Sequence, residues 1–153
     1  MDKKIGPSLR ATKTLLHVKK QLLKLFKITK EEQSGTKIGY LAGIINSDGK
    51  DNIEINRKKL SQYAERLRKL HKFPMFSAID VFPPEIYRNL QEWELPFEQR
   101  EEKVRMFWRE ILKSGHVTDV FMTPGWKKSR GATDEHKTAG KIGLKIHYVE
   151  ETH

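Results

Sequence analysis

Short apolar runs alternate with stretches of helical length along most of the chain, and this alternation limits the fold more than any other feature. Residues 37–42 (KIGYLA), 73–82 (FPMFSAIDVF), 119–123 (DVFMT) and 144–149 (LKIHYV) read as strands. Residues 52–71, 84–93, 97–113 and 131–142 read as helices, with Pro96 dividing the middle pair because proline is poorly tolerated inside a helix. Strands that alternate with helices build βαβ units and hence a parallel sheet. The expectation is an α/β domain, flavodoxin- or Rossmann-like and three-layered, with four to five parallel strands over residues 35–153. A chain of 153 residues supports one domain with a real core. In such sheets ligands bind beyond the carboxyl ends of the strands. The loops to search are therefore GIINSDG after the first strand, DVFPP after the second and PGWKKSRGATDE after the third.

The N-terminal part has a different character. Leu15, Val18, Leu22 and Leu25 repeat at helical steps within residues 11–28, with Leu16, Leu23 and Phe26 widening the stripe. Lys13, Lys20, Lys24 and Lys27 occupy the other side, and EEQSGT (31–36) reads as a linker. Residues 1–30 hold nine Lys/Arg against one Asp, a net of +8 within a whole-chain charge of +10. Basicity thus belongs to residues 1–34, read as an amphipathic arm plus linker. The plain expectation is a helix packed on the domain or on a second subunit. The other is contact with nucleic acid or an anionic surface through residues 1–30.

Several classes are set aside by composition. No apolar run is long enough to cross a bilayer. MDKKIGPSLR lacks the pattern of a secretory leader, and the absence of cysteine removes disulfide and thiolate chemistry. A cytoplasmic protein is expected. The six histidines show no ligand-like pairing, so neither a metal nor any other cofactor is expected.

The third exit loop carries the densest chemistry. Gly125 and Trp126 precede Ser129, and Gly131 frees the backbone for a tight turn or a close approach. A helix expected to start near Thr133 offers unpaired N–H groups and a partial positive charge, a cradle for phosphate. Glu135 falls in its expected first turn. A carboxylate beside an anion cradle suits a ligand that carries a phosphate and a centre that turns cationic, as a nucleotide does when its N-glycosidic bond breaks. Taken singly, each residue has an ordinary role: Ser129 as a cap, Glu135 as a helix-start acid, Trp126 in the core.

PGWKKSRGATDEHKTA followed by GLKIHYV resembles the nucleoside 2-deoxyribosyltransferase-like superfamily, in a branch carrying PGW-x-x-S-x-G-A-x-x-E-H before the last helix. Ser129, Gly131 and Glu135 match the spacing of its deoxynucleoside-monophosphate N-glycosidases, and GYLAGIINSDG resembles their first strand and loop, with Tyr40 and Gly43 on matching positions. The resemblance covers roughly residues 37–150. It implies a nucleoside or nucleotide substrate and a homodimer or higher homo-oligomer. Glu135 is then the nucleophile at the anomeric carbon, Ser129 and nearby backbone hold a 5′-phosphate, and Tyr40 to Asn46 form the floor. No Asp matches the assisting aspartate of relatives; Asp80, at the second strand exit, is a candidate substitute, its ordinary reading being a turn cap. Ile44 and Asn46 depart from the Ser and Arg with which relatives grip phosphate, which leaves a non-catalytic nucleotide-binding module as the alternative.

Overall fold

A computed structural model describes residues 1–151. Four strands, β1 (Gly39–Ala42), β2 (Met75–Ser77), β3 (Asp119–Met122) and β4 (Lys145–Tyr148), form one sheet in the order β2-β1-β3-β4. Every pairing is parallel: Tyr40 lies opposite Phe76 on one side and Val120 on the other, and Phe121 lies opposite His147. β1, β2 and β3 are buried along their whole length, as expected of a parallel sheet covered on both faces. The chain steps outward from β1 to β2 and then returns across β1 to β3. Strand order therefore reverses between β1 and β3, and a crevice opens beyond their carboxyl ends.

Strand side chains alternate between two unequal layers. Leu41, Met75 and Phe121 face a single helix, α3 (Ile53–His71), through Leu60, Ala64 and Leu67. Tyr40, Ala42, Phe76, Val120 and Met122 face a thicker layer that draws on α1 (Asp2–Leu9), α2 (Leu15–Glu32), α6 (Phe97–Leu112) and α7 (Arg130–Ile142). α3 keeps its expected span, and not all of its apolar residues turn inward. Asn56 and Ala64 are buried while Ile55 and Leu70 stand 52% and 70% exposed.

The N-terminal helix begins at Leu15, not residue 11, because the Thr14 hydroxyl accepts from the backbone N–H of His17 at 3.1 Å and caps it. It runs to Glu32, into the stretch read as linker, and the chain turns at Ser34 and Gly35, with φ of 32° and 69°. α1 precedes it, a helix that sequence periodicity does not show. Ile5, Leu9, Leu22 and Phe26 lie in the same core as the sheet, with the Phe26 ring 5.0 Å from that of Phe76. Arg68 reaches Asp2 at 3.5 Å and Asp80 at 3.3 Å, tying α1 to the rest. The amphipathic helix is packed on the domain. No helix among the described residues is long and apolar enough to cross a membrane.

β2 is shorter than the apolar run that predicts it. The Ser77 hydroxyl accepts from the Ile79 N–H at 3.3 Å, and the Asp80 carboxylate accepts from the Ser77 N–H at 2.9 Å. This capping box starts α4 (Ala78–Val81) where the apolar run predicts more strand. α5 (Pro84–Arg88) stops before Trp93, which lies in a separate tight turn.

Candidate functional site

α7 begins at Arg130, three residues before the expected start, because the Ser129 hydroxyl accepts from the Ala132 N–H at 3.1 Å. Glu135 is consequently in the second turn, not the first, and its side chain points into the domain. The Tyr40 hydroxyl donates to Glu135 Oε1 at 2.5 Å. Tyr40 is 1% exposed and Glu135 5%. Burial pushes the Glu135 carboxyl up to about 8, with the charge of Asp134 adding to the rise and the Tyr40 hydrogen bond opposing it. Burial and the neighbouring carboxylate raise Tyr40 well above its usual range, so it remains a donor. Its ring lies 4.8 Å from that of Trp108 and 5.2 Å from that of Phe76, which fix its position. The resemblance implies a ligand floor that includes Tyr40; in the structure its hydroxyl holds the Glu135 carboxyl.

Around α7's start the structure gathers the other residues of the motif. Ser129 lines a shallow cavity of about 390 Å³ with Arg105, Lys127, Lys128, Arg130 and Lys137. Arg109, at the same cavity, is engaged by Asp134 through two bonds of 2.9 and 2.7 Å. The nearest atom to a side chain built at Gly131 is the Ser129 hydroxyl at 3.9 Å, so the backbone there stays open to an approaching group. Trp126 is half-buried against the core and stacks on His136, ring centres 4.4 Å apart. His136 in turn shares a 2.7 Å hydrogen bond with the hydroxyl of Tyr148, the last residue of the edge strand β4.

The first exit loop behaves differently. A Cβ on Gly43 would collide with the Thr123 hydroxyl and sit 3.3 Å from Leu60, so glycine is required for the exits of β1 and β3 to lie this close. Gly125 adopts φ of 86°, again a glycine conformation, and lies near Ile44. Ile44, Pro124 and Gly125 border a cavity of about 470 Å³ whose other wall is α3. Asn46 is exposed on the loop, with its carbonyl accepting from the Gly49 N–H at 3.3 Å. Asp80 borders neither cavity. Its carboxylate is engaged by Ser77 and by Arg68, an ordinary capping role, although burial raises its pKa.

Sequence reasoning missed Asn56, Lys59 and Arg66, which α3 brings to the first-exit cavity. In sequence they look like the solvated face of an amphipathic helix. Only the asparagine one helical turn before Lys59 was a signal. No group of three His, Asp or Glu among the described residues converges as a metal site would.

A parallel sheet reversing between β1 and β3, with a tyrosine–carboxyl pair behind the β3 exit, defines a Rossmann-like α/β domain with its candidate site at the switch point. The chain belongs to the family described as a domain of unknown function (DUF4406), whose model matches residues 37–148. No curated protein and no solved structure matches it.

Proposed function

We propose that the protein cleaves or transfers at the N-glycosidic bond of a nucleoside or its 5′-monophosphate, as a relative of the nucleoside 2-deoxyribosyltransferase-like superfamily. The observation that carries this reading is the 2.5 Å hydrogen bond from Tyr40 to the buried Glu135. The Tyr40 hydroxyl orients the carboxyl and favours its ionised, nucleophilic form, while burial opposes ionisation and sets the pH at which the nucleophile is available. Glu135 Oε2 has no donor among the described residues and is the oxygen left to react.

The ionised Glu135 attacks the anomeric carbon, the C–N bond breaks through an oxocarbenium-like transition state, and a glycosyl ester forms. Asp134 is held by Arg109 and Asp80 by Arg68, so the departing base takes its proton from solvent. Water or a second base then attacks the same carbon and releases the carboxylate. With the Ser129 hydroxyl accepting the Ala132 N–H, its part is to start the helix that carries Glu135. A second copy of the chain is proposed to complete the cover over the site.

The burial of Glu135 favours a second reading, a binding module without turnover. At 5% exposure the carboxyl meets a substrate only when the packing over it opens. Incubation with a panel of ribo- and deoxyribonucleosides and their 5′-monophosphates, with and without an acceptor base, separates the two. Free base released by the wild type and not by Glu135→Gln supports catalysis. Nucleotide binding with no base released supports the module.

A further inference from the structure

The larger cavity lies on the opposite side of the sheet from Glu135. Its floor is the β1 and β3 exits, Ile44, Pro124 and Gly125, and its wall is α3. At about 470 Å³ it is the size of a small-ligand pocket. Three cations border it: Lys59 and Arg66, seven positions apart and so on one face of α3, and Lys128 from the turn after β3. Asp48 and Glu151 also reach its border, so cations outnumber carboxylates there by three to two. None of the three cations pairs with a carboxylate among the described residues. Arg66 rests over the Tyr63 ring at 5.2 Å and donates to the Glu150 carbonyl at 3.2 Å, which orders it without neutralising it.

Asn56 supplies a second, independent observation. It is 7% exposed and borders the same cavity. Its amide nitrogen donates to the Ile45 carbonyl at 3.0 Å and to Asp48 Oδ1 at 2.8 Å. Both donors are thereby engaged, which fixes the amide orientation and leaves Oδ1 without a partner among the described residues. Oδ1 is open to the cavity, where a ligand hydroxyl can take the place of water as its donor. Unpaired cations and a fixed amide oxygen along the same α3 wall suit a ligand with an anion and a hydroxyl.

We propose that this cavity binds a sugar-phosphate group, with Lys59, Arg66 and Lys128 holding the phosphate and a sugar hydroxyl donating to Asn56 Oδ1. The group is either free or part of a nucleotide. The site stands on its own lining and does not require Glu135 to be catalytic.

Calorimetry on the full chain tests it, with ribose 5-phosphate and adenosine 5′-monophosphate as the two sources and ribose and inorganic phosphate as controls. Saturable binding of either phosphate ester is expected, with ribose silent and inorganic phosphate weaker by about tenfold or more. Lys59→Gln with Arg66→Gln should weaken binding by at least about tenfold, and Lys128→Gln alone by less. The single variant is the readout should the double variant fail to fold. Absence of saturable binding by both esters overturns the proposal. So does an affinity that the cation variants leave unchanged, or inorganic phosphate binding as tightly as the esters. Binding without base release keeps this site and ends the glycosidic reading; base release with the cation variants fully active and binding normally does the reverse.

Discussion

The two faces of the sheet handle polar groups in opposite ways. On the α3 face one helix leaves a cavity open at the strand exits, and its charged groups meet solvent. On the other face the helices close over Tyr40 and Glu135, and an acid is kept where water scarcely reaches. Layer thickness explains the contrast. A single helix covers Leu41, Met75 and Phe121 but not the ends of their strands, whereas α6 and α7 with the N-terminal helices bury Tyr40 and Glu135 on their side. The lesson is that open cavity and perturbed acid need not coincide, even when both border the same pair of strand exits.

Glu135→Gln gives the largest expected effect: base release falling on the order of 10³-fold or more, with the far-ultraviolet spectrum unchanged. The same variant sharpens the contrast between faces through stability. The native carboxyl holds its proton up to about pH 8, whereas the unfolded one releases it near 4.5. Native protein therefore binds more protons between those values, and the Glu135 contribution to stability falls as pH rises through that window. Glu135→Gln, which stays neutral, should gain on wild type by about 1–3 kcal/mol at pH 9 and by little at pH 4, as read by denaturant unfolding. An equal difference at both pH values would mean the carboxyl is not perturbed.

Catalysis should follow ionisation with the opposite sense. For an essential carboxylate with a pKa of about 8, kcat/KM should climb about tenfold per pH unit below that value and level off above it. Tyr40→Phe removes the donor that lowers this pKa, so the profile should move to higher pH. A profile that stays put would assign the tyrosine to packing alone.

Glycine substitutions test the geometry between the faces. Gly43→Ala drives a Cβ into the Thr123 hydroxyl and should cost about 1–3 kcal/mol in unfolding free energy. Gly131→Ala meets open space at ordinary helical φ and should stabilise by roughly 0.4–1 kcal/mol. The smallest effect is expected of Asp134→Asn, which removes a charge that raises Glu135 and should move the pH profile slightly downward.

The strand exits were legible because fully buried parallel strands leave continuous apolar runs, as GYLA and DVFM do. FPMFSAIDVF misled because its later residues are equally apolar, and the capping box that ends the strand depends on Ser77 and Asp80 meeting in space. α1 was hidden because DKKIGPSL contains Gly6 and Pro7 and shows only Ile5 and Leu9 as apolar positions at helical spacing. Glu135 could be picked out by motif, but its partner lies 95 residues away and no local pattern joins them. Asn56, Lys59 and Arg66 were missed because the cavity that gathers them depends on Ile44, Pro124 and Gly125, which meet α3 only in space.

The packing of α2 also bears on the order in which the chain can mature during synthesis. Leu22 and Phe26 emerge early, yet the ring that meets Phe26 belongs to Phe76, and the α6 residue that pairs with Lys19 is Glu110. Until those arrive, the nascent helix carries an uncovered apolar stripe, and β1 likewise waits for both neighbours, β2 and β3. Such late closure is slow and exposes sticky surface meanwhile. The lysines along α2 lie beside that stripe as like charges, which on physical grounds disfavour association of unfinished chains.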